Sequence, residues 1–184
     1  MNPVTAECEE RMNKTIAALK DALGALRTGR ASPALFDKIR VEQYGAKVPL
    51  NQVATLSIPE ARLVVINPFD KNSIGEIEKA IRISELSLNP SNDGKVIRIQ
   101  IPPLTEDRRK DLAKQARTQA EQARVAVRNI RRDGNEELKK LQKDSKLTED
   151  EEKQATKALQ DLTDALIKKI GDIATEKENE ILKV

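Results

Sequence analysis

Basic side chains recur on one side of a helical stretch in the second half of the chain, and the chemistry they offer is anion binding. When residues are advanced by 100° each, as in an α-helix, six of these side chains fall within about 40° of one direction. They are Lys110, Lys114, Arg117, Arg124, Arg128 and Arg132. Most are arginines, whose planar guanidinium groups suit paired contacts with phosphate oxygens. The spacing predicts one continuous surface, the basic ridge, with Arg131 at its border and Arg109 in the first turn.

The charge distribution indicates that an anionic partner would bind on one side only. Residues 105–143 contain 12 basic and 7 acidic groups, whereas residues 144–184 contain 7 basic and 11 acidic groups, although the chain as a whole has a net charge of only +3. Glu121 is the acidic exception on the basic ridge. The three aromatic residues lie outside this helix, so it has no platform for stacking unpaired bases. We therefore expect structured RNA recognised by shape and backbone, while charge alone does not exclude DNA.

The composition argues against an enzyme. The chain has no histidine and a single cysteine, Cys8, which excludes histidine acid–base chemistry, Cys/His zinc frameworks and an internal disulfide. It also has no phosphate-binding loop and no nucleophile paired with a base. The acidic cluster at residues 144–152 suits a helix N-terminus and lacks a cation-binding loop pattern. We expect no catalytic residue, cofactor, metal or small-molecule substrate.

No stretch of about 18 apolar residues occurs, and the N-terminal dozen residues are acidic, without the apolar segment of a signal peptide. Together with the lone thiol, these features predict a cytoplasmic protein that does not associate with membranes.

Three segments have the periodicity of amphipathic helices. The first runs from about Val4 to Thr28, the second from Thr105 to about Lys143 without a proline, and the third begins at Thr148, where Thr148 and Glu151 fit a capping box. Each helix has one narrow apolar stripe and would be unstable alone. The simplest way to bury all three stripes is a three-helix bundle.

The middle segment has a different pattern. Short β-branched runs at 39–41, 53–58, 63–66 and 96–101 predict strands, residues 73–86 space their apolar side chains as a short helix, and residues 89–94 form a strong turn signal. We predict an α+β protein in which residues 1–30 and 105–184 form an elongated three-helix bundle. Residues 31–104 would form a small inserted α+β domain resembling a β/α/β sandwich. The two linkers, near 29–33 and 102–104, would form a hinge.

Several motifs resemble those of the bacterial ribosome recycling factors. The stretch PPLTEDRRKDLAKQARTQAEQARVAVRNIRRDGNEELKK (102–140) resembles the signature helix of that family, and RTGRASP (27–33) resembles its first hinge. VEQYG, INPFD, EKAI and LNP match its inserted domain in order, with Gln43 standing where the family often has an aromatic residue. The resemblance covers essentially the whole chain.

The resemblance implies an L-shaped molecule, similar in outline to transfer RNA, whose bundle lies along large-subunit ribosomal RNA. Elongation factor G, a GTPase, would push the inserted domain and so separate the ribosomal subunits. RNA contacts are carried over to Arg109, Arg128 and Arg131 from the family's motif, whereas Lys110, Arg117, Arg124 and Arg132 are added from the ridge alone. The hinge role falls to the residues of the two linkers, which are Gly29, Arg30, Ala31, Ser32, Pro33, Pro102, Pro103 and Leu104. We expect a monomer.

One competing interpretation stays open. A helical scaffold or adaptor protein could have the same basic face as an ordinary solvated surface. It would show little affinity for RNA and no effect of changing the charges.

Overall fold

The chain folds into four α-helices and six β-strands over residues 2–26 and 28–183, which a computed structural model describes. The α-helices are α1 (Pro3–Gly24), α2 (Ile74–Arg82), α3 (Glu106–Lys143) and α4 (Glu149–Leu182). The strands are β1 (Arg40–Gln43), β2 (Ala46–Pro49), β3 (Ala54–Glu60), β4 (Leu63–Pro68), β5 (Pro90–Asn92) and β6 (Ile97–Gln100). The described residues form two compact units, the bundle unit (2–26 and 106–183) and the sheet unit (28–105). The predicted α+β class is confirmed.

The bundle unit consists of α1, α3 and α4, each packed against the other two. Their contact faces are narrow apolar stripes, and on α3 four of the buried positions are alanines, which let the neighbouring helices approach closely. Helix α3 is continuous over 38 residues, as its proline-free sequence predicted, and spans about 57 Å. Thr148 and Glu151 form the predicted capping box at the start of α4. No helix in the described part of the chain is long and apolar enough to cross a membrane.

Gly134 lies where α1, α3 and α4 meet. A Cβ atom added there would lie 2.6 Å from Sγ of Cys8 and 2.8 Å from Cδ2 of Leu159, both too close for unperturbed packing. Cys8 is buried, and that burial raises the pKa of its thiol above the usual value. The glycine is therefore needed for close helix packing, and Cys8 serves as a small apolar side chain beside it.

Replacing Gly134 by alanine should destabilise the protein by about 1–2 kcal/mol, because the overpacking penalty exceeds the gain in helix propensity. Gly24→Ala is the matched control, since a Cβ at Gly24 would meet nothing within 4 Å. That control should be neutral or stabilising by up to about 1 kcal/mol. Urea unfolding of both variants measures the difference. Equal stability of the two variants would contradict the packing described for Gly134.

The sheet unit contains a four-stranded antiparallel sheet in the order β3-β4-β6-β5 and a separate hairpin formed by β1 and β2. Helix α2 packs against both β1 and β5. Its apolar positions Ile74, Ile77, Ala80 and Ile81 join alternate strand residues in one core. The predicted short helix is present, but it ends at Arg82 rather than near residue 86.

Two strands were missed by the sequence analysis. β2 was not predicted because only one of its four residues, Val48, is β-branched. β5 lies inside residues 89–94, which were predicted to be a turn. Pro90 is compatible with β5 because that strand is at the edge of the sheet, where the missing N–H leaves no neighbour unpaired. The turn itself is shorter and bends at Gly94 and Lys95, with the side chain of Asp93 accepting hydrogen bonds from the backbone N–H groups of Lys95 and Val96.

Candidate nucleic-acid interface

Helix α3 presents its basic side chains in two rows. The outer row consists of Lys110, Lys114, Arg128 and Arg132, which are exposed or half-buried. The inner row consists of Arg117, Arg124 and Arg131, which lie on the side of α3 that faces α4. The single ridge predicted from the sequence is therefore divided into two rows in the structure.

The inner row is engaged by α4. Nε of Arg117 donates to Oε1 of Glu178 at 2.6 Å, which places a carboxylate of the acidic last helix against the basic ridge. Nη1 of Arg131 donates to Oε1 of Gln160, also at 2.6 Å. Because these contacts hold the guanidinium groups toward a neighbouring helix, part of their hydrogen-bonding capacity is already used within the protein.

Arg124 lies over α4 at a glycine. Its side chain is 27 % exposed, its Nη1 donates to Glu121 at 3.1 Å, and a Cβ added at Gly171 would lie 3.9 Å from its Nη2. The guanidinium group thus lies close to α4, at a distance where a Cβ atom would still make an ordinary contact. Arg124 contributes positive charge at the border between the helices, with less exposed surface than the outer row.

The outer row is open to solvent. Nζ of Lys110 lies 3.1 Å from Glu106, and Nη1 of Arg128 lies 3.6 Å from Glu121. Exposed pairs of this kind contribute little free energy and exchange readily for a phosphate. Lys114 and Arg132 form no ion pair within 4 Å among the described residues. From Lys110 to Arg132 the row extends about 33 Å along the helix axis.

The expectation that the whole ridge faces solvent is therefore corrected for Arg124 and Arg131, which are only partly exposed, whereas Arg117 is exposed as predicted. The buried positions of α3 are centred about 110° from the ridge direction rather than opposite to it, so one border of the ridge meets α4. Arg109 is half-buried on the same side of α3 as these buried positions. Its Nε, like that of Arg131, is buried without a hydrogen-bond partner among the described residues. The sequence analysis omitted Lys139, which is exposed and continues the outer row at 20° on the same helical projection.

Ala31 of the first linker and Ile101, which precedes the second linker, are both bonded to the same turn of the sheet unit. The backbone N–H of Ala31 donates to the carbonyl of Ala61, and that of Ile101 donates to the carbonyl of Arg62, each at 2.7 Å. Ser32 caps the short 3-10 helix that begins at Pro33. Of the hinge residues predicted from the sequence, Ala31, Ser32 and Pro33 are thus held within the sheet unit. Residues 28–30 and 102–105, which also belong to the sheet unit, separate these anchors along the chain from the bundle unit, and Gly29 adopts a φ of 77°.

The comparisons with known proteins identify the family of this chain. A family model described as ribosome recycling factor matches residues 19–182, which is most of the chain. The chain belongs to the ribosome recycling factor family. The ribosome-recycling factor of Treponema denticola is 63% identical over 180 residues, covering 98% of this chain and 97% of that protein. The one from Halalkalibacterium halodurans is 58% identical over 181 residues, covering 98% of both chains.

Solved structures of ribosome recycling factors have the same fold. A solution structure of a ribosome recycling factor superimposes with a TM-score of 0.78 at 44% identity, covering 98% of this chain and 96% of that one. A second match has a TM-score of 0.63 at 51% identity and covers 97% of both chains. That structure contains models for the T. thermophilus ribosome recycling factor and the E. coli elongation factor G bound to the E. coli post-termination complex. The resemblance noted from the motifs is confirmed as family membership.

Proposed function

We propose that this chain recycles ribosomes after termination by binding large-subunit ribosomal RNA through the outer row of α3. The observation that supports this most directly is the exposure of four cations along about 33 Å of one rigid helix. A rod of that length with charges on one side fits a phosphate backbone better than a point-like ligand. Further positive charge would come from Arg109, Arg117, Arg124 and Arg131, which have fewer hydrogen-bond donors free for direct contacts with RNA.

The proposed partner that drives separation is elongation factor G. The T. thermophilus relative, which is 51% identical, is described together with that factor on a post-termination complex. We propose that the GTP hydrolysed in the process is consumed by elongation factor G, and that this chain supplies binding and movement rather than catalysis. It would act as a monomer in the cytoplasm, without a cofactor.

The two linkers would allow the sheet unit to move relative to the bundle unit while the bundle unit stays bound. We propose that Gly29, Arg30, Pro102, Pro103 and Leu104 absorb this movement. Ala31, Ser32 and Pro33 would instead move with the sheet unit, because their hydrogen bonds lie within it. Two parallel linkers restrict twisting more than one would, which suits the transmission of a directed push.

The direct test is subunit splitting of purified post-termination ribosomes, followed by light scattering, with and without elongation factor G and GTP. We expect rapid splitting only when this chain, the factor and GTP are all present. Omitting each component in turn provides the controls. Splitting that proceeds equally well without this chain would reject the proposed function.

A further inference from the structure

Arg131 and Arg117 of the inner row are held by α4 through different kinds of group. Nη1 of Arg131 donates to the amide oxygen of Gln160 at 2.6 Å, whereas Nε of Arg117 donates to the carboxylate of Glu178. Arg131 forms no ion pair within 4 Å among the described residues. A neutral amide orients a guanidinium group without cancelling its charge. Arg131 therefore keeps its attraction for an anion, although its position is constrained.

The amide group of Gln160 is held in one orientation from both sides. Its Nε2 donates to Oδ1 of Asp164 at 2.9 Å, one turn further along α4. An ionised carboxylate only accepts hydrogen bonds, and a guanidinium group only donates them. The amide oxygen must therefore face Arg131, and the amide nitrogen must face Asp164. A flipped amide would lose both hydrogen bonds, so Asp164 fixes the acceptor that Gln160 offers to Arg131.

The donors of Arg131 that stay free are on its terminal nitrogens. The side chain is half-buried, and its Nε is buried without a hydrogen-bond partner among the described residues. The contact with Gln160 uses one N–H of Nη1, which leaves the other N–H of Nη1 and both of Nη2. Neighbouring N–H groups of a guanidinium fit two oxygens of the same phosphate. Arg131 thus has fewer free donors than an exposed arginine, but the remaining ones suit a phosphate.

A constrained arginine binds a phosphate at a lower entropic cost than a mobile one. Ordering a long, flexible side chain on binding reduces affinity by roughly two- to tenfold. The contact with Gln160 joins two packed helices, α3 and α4, so it restricts Arg131 before any RNA is bound. Arg128 of the outer row is held only by Glu121 of its own helix, at 3.6 Å, and a phosphate would have to displace that carboxylate.

We propose that Gln160 is a positioning residue for RNA binding, and that Asp164 anchors it. Gln160 holds the guanidinium group of Arg131 so that its free N–H groups meet one phosphate of structured RNA. Gln160 itself does not contact RNA, and the outer row supplies most of the affinity. The inference rests on the proposed function, because it adds a residue of α4 to the RNA-binding surface of α3.

Substitution of Gln160 tests the assignment through its dependence on Arg131. Gln160→Met keeps the length of the side chain and removes the acceptor, so ribosome affinity measured by sedimentation should fall about fivefold, with an unchanged urea midpoint. Arg131→Ala should lower the affinity about tenfold, and adding Gln160→Met to it should cause no further loss. Independent effects would multiply to a loss of about fiftyfold, and that result would overturn the assignment.

The matched control for the loss of an amide is Gln154→Met. Gln154 is also exposed on α4, but it borders a cleft with α1 rather than the arginines of α3. Its replacement should leave the ribosome affinity unchanged. A fivefold loss in this control as well would show that the effect at Gln160 is not specific, and the assignment would be wrong.

The sign of the effect at Asp164 distinguishes positioning from simple electrostatics. Asp164→Ala removes a negative charge near the proposed RNA surface, which by itself would strengthen binding to an anion. Because the amide of Gln160 is then free to turn, we expect the affinity to fall about threefold instead. Asp161→Ala, at a neighbouring exposed position, should leave the affinity unchanged or raise it slightly. Equal gains in affinity for the two variants would contradict the anchoring role of Asp164.

Side-chain NMR of the free protein tests the positioning without ribosomes. Nuclear relaxation of the Nε–H group of Arg131 should show restricted motion, and the motion should increase in Gln160→Met and in Asp164→Ala. An Arg131 side chain that is equally mobile in all three proteins would overturn the assignment. An unsubstituted chain that binds no ribosomes would reject the proposed function and this assignment with it, whereas normal binding by Gln160→Met would reject the assignment alone.

Discussion

Replacing Lys110, Lys114, Arg128 and Arg132 together by glutamine should lower the affinity for the ribosome at least about 100-fold near physiological salt. Each exposed contact with a phosphate contributes about 0.7 kcal/mol, so four contacts contribute about 2.8 kcal/mol. Because about 1.4 kcal/mol corresponds to a tenfold change in affinity, their loss corresponds to about 100-fold. The fold should remain intact, because all four side chains lie outside the apolar stripe of α3. Sedimentation of ribosome-bound protein measures the affinity, and circular dichroism verifies the helices.

The salt dependence gives a second and more specific readout for this variant. Each cation that neutralises a phosphate contributes about 0.7–0.9 to the slope of log affinity against log salt concentration. Removing four such contacts should reduce the slope by about 3. A structural defect would instead lower the affinity without this change of slope.

The matched control removes an equal number of positive charges from α4. Lys153, Lys157, Lys168 and Lys169 are all exposed on that helix. Their replacement by glutamine changes the net charge equally, so it reports the effect of overall charge alone. We expect a loss of affinity below about fivefold. If the two quadruple variants lose affinity equally, the outer row has no special role and the scaffold interpretation gains support.

The inner row should respond differently from the outer row. Arg131→Ala would remove the hydrogen bond to Gln160 as well as a positive charge, so a loss of binding by that variant could come from altered packing. Arg117→Ala would likewise release Glu178. Substitutions in the outer row therefore test RNA binding with less effect on helix packing. The sequence alone did not distinguish the two rows.

The helical part of the fold was predictable because periodicity and capping act locally. The proline-free run between Thr105 and Lys143 became one helix, and Thr148 and Glu151 formed their capping box. The sheet unit was harder to predict, since its edge strands depend on pairing between distant residues. β5 contains the proline and asparagine that usually indicate a turn, and only its pairing with β6 makes it a strand.

The division of the basic ridge could not be derived from a single helix. Spacing places Arg117 and Arg128 on the same side of α3, within the same range of angles. What separates them is the acidic partner, because Arg117 pairs with Glu178 of α4 whereas Arg128 pairs with Glu121 of its own helix. The left-handed φ of Tyr44 was likewise not predictable, because Tyr-Gly is a rare pair for a tight hairpin turn.

Lengthening both linkers should separate ribosome binding from subunit splitting. Inserting Gly-Ser-Gly-Ser after Gly29 and again between Pro103 and Leu104 adds a flexible segment to each connection, up to roughly 14 Å when extended. The anchors at Ala31 and Ile101 are preserved, so the sheet unit should fold normally. We expect ribosome affinity to change less than about threefold, because the outer row is untouched, and splitting to slow at least about tenfold.

Splitting should slow because lengthened, flexible linkers do not transmit force from the sheet unit to the bundle unit. In the proposed mechanism elongation factor G moves the sheet unit, and the two linkers pass that movement to the bundle unit bound on RNA. A control with the same insertion after Glu85, in the exposed loop that follows α2, lengthens the chain without touching either linker. It should split ribosomes at nearly the normal rate. Normal splitting by the double-linker variant would show that separation needs no mechanical coupling between the units, and the hinge proposal would then be wrong.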